Sequence, residues 1–145
     1  MAIIEETGDF LRATTPALVV PANSFGTAEG AVGRALLETH PAAATAYRSS
    51  AEGRRLAIGT LVSARGVRGA LLIFLPIRSA PSDRITIDAI EQGLLALRTL
   101  IIAQRLERVA LSLSALAPTG PLRVALRARI SALLGALSTT IELYP

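Results

Sequence analysis

Apolar positions along this 145-residue chain arrive in two rhythms. Short uninterrupted runs rich in Val, Leu and Ile, bounded by turn residues, predict buried strands. They stand at Ala17–Pro21, Ala57–Ala64, Gly69–Leu75, Arg108–Leu113 and Thr139–Leu143, with Ala2–Ile4 as a candidate edge strand. Arg65-Gly66-Val67-Arg68 reads as a short turn between the second and third runs. Pro76 ends the third, and a loop runs from Ile77 to Arg84.

The other rhythm is helical. Ala31–Thr39 places Val32, Ala35 and Leu36 on one face, and Pro41 suits the first turn of a second helix reaching Tyr47. Glu52–Arg55 reads as a polar loop. Thr86 is a good N-cap for the longest helix, in which Ile87, Ile90, Leu94, Leu97 and Ile101 share a stripe. Ser114–Gly120 is an uncharged loop. Leu122, Leu126, Ile130, Leu133 and Leu137 mark a last helix, ended by Gly135 and Ser138, with Arg123, Arg127 and Arg129 on its other faces. Strands and helices alternate, which predicts an α/β sandwich with helices on both faces of the sheet. No repeat, linker or low-complexity tail divides residues 1–145, so one domain is expected.

Composition narrows the chemistry. Cysteine is absent, which excludes disulfides, thiolate catalysis and thiolate metal sites. All 15 basic residues are Arg, so lysine Schiff-base chemistry is excluded as well. With 11 acids scattered among them, the net charge of +4 reads as a mixed, solvated surface. One His and no Cys give no metal-ligand spacing, and no cofactor is implied. No run approaches the roughly 20 apolar residues of a membrane helix, and the N-terminus lacks a signal-peptide pattern. A soluble, cytoplasmic protein without membrane contact is expected.

The most informative stretch is Ala17-Leu18-Val19-Val20-Pro21-Ala22-Asn23-Ser24-Phe25-Gly26, leading into the small-residue loop Gly26–Gly33. A strand feeding a glycine-bearing loop that opens a helix is where α/β proteins bind ligands. Asn23 offers both a donor and an acceptor, and equally suits a turn that bonds its own backbone. Glu29 lies among the glycines, where its charge would repel a diphosphate unless it points away.

These residues resemble a macro domain. Gly8-Asp9-Phe10 precedes the Pro21-Ala22-Asn23-Ser24 strand end. Tyr47, Leu75-Pro76-Ile77-Arg78, Ile90-Glu91-Gln92-Gly93-Leu94 and the closing Ile141-Glu142-Leu143-Tyr144-Pro145 follow in order. The run is similar to the branch containing DNA ADP-ribosyl glycohydrolase antitoxins and terminal ADP-ribose glycohydrolases. The resemblance implies a three-layer α/β/α domain with a mixed, mostly parallel sheet. It also implies recognition of ADP-ribose or an ADP-ribosylated macromolecule. Asp9, with Phe10 beside it, would accept from the adenine amino group. Gly26, Gly30, Ala31 and Val32 would line the diphosphate, with Gly120 from a second loop. Asn23 would lie near the distal ribose and act in any catalysis.

Arg78 stands at the position of the branch's catalytic lysine. A guanidinium is too weakly basic and nucleophilic to replace an amine at neutral pH, so at most weak glycohydrolase activity is expected. The second loop, Ser114–Pro121, keeps only Gly120, and Pro118 and Pro121 bring no N–H. Two functions follow: an ADP-ribose-recognising module, or a non-catalytic protein that has lost the ligand and acts through a protein partner. Nucleic-acid binding through Arg54, Arg55, Arg65 and Arg68 is a third and weaker option, because no aromatic residue neighbours them in sequence. His40 reads as a helix-end residue with a general base as the alternative, Tyr47 as packed on the sheet with a ligand-stacking ring as the alternative, and Asp83 and Asp88 as acids that could pair for glycosidic chemistry, although Asp88 also suits a helix start.

Overall fold

Val-, Leu- and Ile-rich strands send alternate side chains to opposite faces, so a sheet built from them needs cover on both. The computed structural model describes residues 3–145. Its strands are β1 (Ile3–Glu5), β2 (Ala17–Asn23), β3 (Val62–Arg65), β4 (Leu71–Arg78), β5 (Arg108–Ser112) and β6 (Thr140–Tyr144). They form one sheet in the order β1-β6-β5-β2-β4-β3. Its neighbours are parallel except for the antiparallel pair β3 and β4.

Both faces are covered. Ala17, Val19, Leu71, Ile73, Leu75, Val109 and Leu111 pack on α3 (Ile87–Gln104) and α5 (Gly120–Leu134). Leu18, Val20, Ala22, Leu72, Phe74 and Ala110 pack on α1 (Gly30–Thr39) and α2 (Pro41–Glu52). The helices on both faces expected from the alternating elements, and the mixed, mostly parallel sheet implied by the resemblance, are what the chain adopts. The α3 stripe carries much of one layer. Ile90, Leu94, Leu97 and Ile101 are fully or almost fully buried, each worth about 1.5–3 kcal/mol of apolar transfer. Thr86 caps this helix by accepting from Ala89 N, as its position predicts.

Several boundaries differ from expectation. The run Ala57–Ala64 is a strand only from Val62, because its first half turns at Ile58-Gly59. Gly59 takes φ +86°, which a strand does not use. The helix expected to stop at Tyr47 continues to Glu52. β5 ends at Ser112, whose hydroxyl accepts from Ala115 N and starts a single helical turn, α4 (Leu113–Leu116), inside the expected loop. The edge strand is Ile3–Glu5; Ala2 of the expected segment lies outside the described residues.

Pro76 brings the most useful correction. It does not end β4. Ala22 pairs with Pro76, the register then shifts, and Asn23 pairs with Arg78. Proline has no N–H for the ladder, so a local irregularity is tolerated where a stop was expected. The shift brings the end of β4 beside the end of β2.

On the α1/α2 face, His40 links the helix pair to the β3–β4 turn. Its buried ring accepts from Val67 N through Nδ1 at 3.0 Å. Gly66 is glycine because a Cβ there would run into that ring and stand 2.9 Å from Leu72 Cδ1. An accepting Nδ1 requires a neutral ring, and burial lowers the His40 pKa from 6.5. The unfolded chain therefore binds this proton more readily than the folded one. The stabilisation is complete above pH 6.5 and is lost as pH falls through the lowered folded value. Denaturant midpoints measured from about pH 7.5 down to about pH 5 will fall for the native chain, and less for His40→Asn, which keeps an acceptor without titrating. Identical slopes for the two proteins would dismiss the linkage.

Candidate functional site

β2 runs out of the sheet at Asn23, and the next six residues turn into α1. Asn23 is fully buried, and both ends of its amide are engaged. Oδ1 accepts from Phe25 N at 3.0 Å and Thr27 N at 3.3 Å. Nδ2 donates to Thr27 Oγ1 and to Glu29 Oε2, each at 2.8 Å. Tyr47 fastens the same loop from below. Its hydroxyl accepts from Asn23 N at 2.9 Å and donates to Thr27 O at 2.8 Å. Its ring stacks on Phe74 with centroids 4.5 Å apart. Burial, with a smaller contribution from the Glu29 charge, pushes the phenol up to about 12, so it stays a donor. Gly26 takes φ +77° and lies so close to α2 that a Cβ would stand 2.8 Å from that of Ala51.

Glu29, only 5% exposed, precedes the first turn of α1. A buried carboxylate needs a counter-charge. Arg78 supplies it as a fork, with Nε to Oε2 at 2.9 Å and Nη2 to Oε1 at 2.7 Å. Arg78 Nη1 donates to Asp83 O at 3.1 Å, while Asp83 Oδ2 accepts from Ala80 N. Hydrogen bonding to Glu29 raises the Arg78 pKa further above its ordinary value, so the guanidinium is permanently charged. The β4 register shift makes this fork possible by placing Arg78 opposite Asn23.

Above the pair lies a cleft of about 340 Å³. Its walls are Glu29–Val32 from the start of α1, Ile77 and Arg78 from β4, Ile85, and Ser114, Ala115 and Pro118 from the turn after β5. β2 and β5 pair only at Ala17–Leu18 with Val109–Ala110, so their C-terminal ends are free to diverge. That is the crevice position favoured for ligands in open α/β sheets. Leu116 and Ala117 do not fill it, because both are fully buried in the core beneath. Gly33 N is the first α1 amide bonded to a carbonyl four residues back, Glu29 O. The N–H groups of Gly30, Ala31 and Val32 come before it, at the positive end of the helix dipole.

This architecture matches solved structures over nearly its whole length. The macrodomain of Mycobacterium tuberculosis DarG superposes with a TM-score of 0.88 at 22% identity, covering 99% of this chain and 97% of that one. The Thermus aquaticus DarG macrodomain gives 0.85 at 23%, covering 98% and 95%. Thermosipho africanus DarTG, solved in complex with ADP-ribose, gives 0.79 at 15% identity, covering 98% of this chain and 41% of the larger partner in the comparison. The chain has the macrodomain fold. No family model and no curated protein sequence matches it.

Within this macrodomain fold the expected site residues separate. Gly30, Ala31, Val32 and Arg78 line the cleft. Asn23 lies beneath it, committed to the loop. Gly26 faces α2 and a different groove. Gly120 is the first residue of α5. Asp9 accepts from Leu11 N at 3.0 Å and caps a 3-10 turn, Phe10–Arg12, that packs against α1 and β5. Phe10 is buried edge-on against Tyr144. His40, Tyr47 and Asp88 take structural places. Among the described residues, no cluster of three His, Asp or Glu could hold a metal, and no helix is long and apolar enough to cross a membrane.

Sequence reasoning flagged Glu29 as a repulsive charge but missed its partner, which lies 49 positions away. It also missed Ile85 as a cleft wall, whereas Ser114, Ala115 and Pro118 come from the expected second loop. Ile85 carried no signal of its own.

The loop's anchor is testable without any ligand. Tyr47→Phe keeps the stack on Phe74 but removes the partner of Asn23 N and Thr27 O. Leaving such buried groups unpaired costs about 1–3 kcal/mol, to be read from urea denaturation at neutral pH. No change would show that the hydroxyl does not hold the loop.

Proposed function

We propose that this chain recognises ADP-ribose, free or attached to a macromolecule, in the cleft between the start of α1 and the turn after β5, with little or no hydrolysis. The observation that carries the reading is the backbone of Gly30–Val32. The three residues that open α1 line a cavity at the diverging ends of β2 and β5, and their N–H groups precede the helix's first four-back bond, that of Gly33 N, a position suited to a phosphate. The ligand named for the Thermosipho africanus structure supports the same choice.

In this reading the diphosphate lies on the Gly30–Val32 amides. The adenine reaches over α1 toward Asp9, whose carboxylate keeps acceptor capacity beyond its bond to Leu11 N. Glu29 does not oppose the phosphates as a free charge would, because Arg78 neutralises it. At about 340 Å³ the cleft is at the small end of ligand cavities, so part of the ligand lies across open surface.

Weak or absent turnover follows from the polar groups. The Asn23 amide, the expected positioner of water, has its donors and acceptor engaged within the loop. Arg78 cannot serve as base or nucleophile. Asn23 therefore acts here as the organiser of the loop.

Calorimetric titration with ADP-ribose tests the reading. Saturable binding is expected, weakened about tenfold by Asp9→Ala, the effect of one charge-assisted hydrogen bond. Incubation with an ADP-ribosylated oligonucleotide or protein is expected to release no more ADP-ribose than the buffer control. Absence of heat at millimolar ligand would end the reading, and rapid release would end its non-hydrolytic part.

A further inference from the structure

Four of the five aromatic rings in this chain are buried, and Phe25 is the exception at 65% exposed. Its backbone cannot readily withdraw it. Phe25 N donates to Asn23 Oδ1 at 3.0 Å, and Gly26 beside it holds φ +77° in close approach to α2. The ring therefore stands as a fixed knob, and little ordering is left for a contact to cost. It lines no part of the cleft described above. Instead it borders two other hollows, on the α1/α2 side of the molecule. One, of about 420 Å³, is walled by Ala51, Leu56 and Ala57 together with Ser24 and Arg54. The other, of about 560 Å³, carries Arg34 and Glu38 from α1 and Arg48 and Glu52 from α2. These four charged side chains are exposed, and among the described residues none of them is in an ion pair.

We propose that this face pairs with a second copy of the chain about a two-fold axis. Phe25 of each copy enters the Ala51–Leu56–Ala57 hollow of the other. The two α2 helices run antiparallel, so that Arg48 meets the partner's Glu52 and the reverse contact repeats it. The argument is self-complementarity, which a two-fold interface requires. Two charges of each sign sum to zero. A polyanion would meet Glu38 and Glu52, and a strongly acidic or basic protein would meet two like charges. A copy of the same patch offers an acid for every arginine. Knob and apolar hollow likewise lie side by side on one molecule, so one rotation fills both hollows. Thr45 and Ser49, exposed on the same stretch of α2, are small enough to let two helices approach. Neither hollow shares a lining residue with the cleft beside Arg78, so the inference does not rest on the nucleotide reading.

Sedimentation velocity on the native chain, from about 1 to about 200 µM, reads the association directly. The mean mass is expected to climb from one chain toward two over that range. Phe25→Ser is expected to raise the dissociation constant about tenfold or more, as loss of an aromatic anchor does. A thermal melt checks that the change at this exposed position leaves the fold intact. Arg48→Glu alone is expected to weaken the dimer, because it sets acid against acid at both contacts. Arg48→Glu/Glu52→Arg exchanges the charges and is expected to restore it. A native chain that stays monomeric at the top of the range overturns the inference, as does a dimer indifferent to Phe25→Ser. A double exchange no better than Arg48→Glu alone overturns the antiparallel α2 pairing. Capture of a labelled single-stranded oligonucleotide by the monomer, lost with Phe25→Ser, overturns the inference in favour of a stacking surface for nucleic acid.

Discussion

A carboxylate at the mouth of a parallel sheet, withdrawn from water, is the constraint around which the cleft-bearing end of this molecule is arranged. A buried carboxylate without a counter-charge carries a desolvation cost of several kcal/mol. Its partner must approach as a two-pronged donor and must come from another element. Arg78 arrives at the end of β4 because the ladder slips at Pro76. The second oxygen's remaining partner is Asn23, at the end of β2. One buried charge thus ties together two strand ends and the start of α1. The loop between them inherits its shape from that knot, from the Tyr47 hydroxyl and from the close approach that Gly26 permits.

The rest of the fold keeps that knot dry and fixed. The α3/α5 layer is wholly aliphatic in its buried residues, whereas the α1/α2 layer holds the buried aromatic rings. Tyr47 stacked on Phe74 belongs to the second layer, directly beneath the loop. Rigid rings with few rotamers suit a layer that must hold one loop conformation. A second buried carboxylate, Glu142, follows the same logic on β6. It accepts from Thr15 at 2.8 Å and takes Arg108 from the neighbouring strand. Among the described residues, the buried acids Glu29 and Glu142 are each met by an arginine and a neutral donor, and the absence of lysine fits that pattern, because a bidentate fork satisfies two oxygens where an ammonium is a point charge.

How much of this could be seen in the sequence follows from the range of the interactions. The buried runs at β2, β5 and β6 and the α3 stripe were legible because burial on both faces leaves a local, periodic trace. The α/β/α layering followed from their alternation. Ala57–Ala64 misled because an apolar run does not reveal that Gly59 turns with φ +86°. Pro76 misled because the rule that proline ends a strand is local, while the register shift that accommodates it belongs to the pair β2 and β4. In the cleft, Gly30–Val32 were visible as a glycine loop opening a helix. Asn23 looked like a ligand contact, and its alternative as a turn-former describes its hydrogen bonds. Glu29 with Arg78 was beyond reach, since nothing in either residue's neighbourhood names the other.

A guanidinium rather than an amine at the end of β4 bears on what chemistry the cleft could support. A lysine at the end of β4 would bring a titratable nitrogen that leaves and regains its proton, and it would tie Glu29 with only a point contact. Arg78 gives up that chemistry and gains a fork that fixes the carboxylate at both oxygens. The exchange trades reactivity for preorganisation: the polar groups beside the cleft are set before any ligand arrives, so little ordering remains to be done on binding. Preorganised donors accelerate a reaction only where charge develops and a base or nucleophile is at hand. Here the carboxylate is already bound by three donors, the amide is spent within its loop and the cation cannot deprotonate. Asn23, Glu29 and Arg78 thus bond one another and their own loop, an arrangement set by the hydrogen-bond count rather than by the fold.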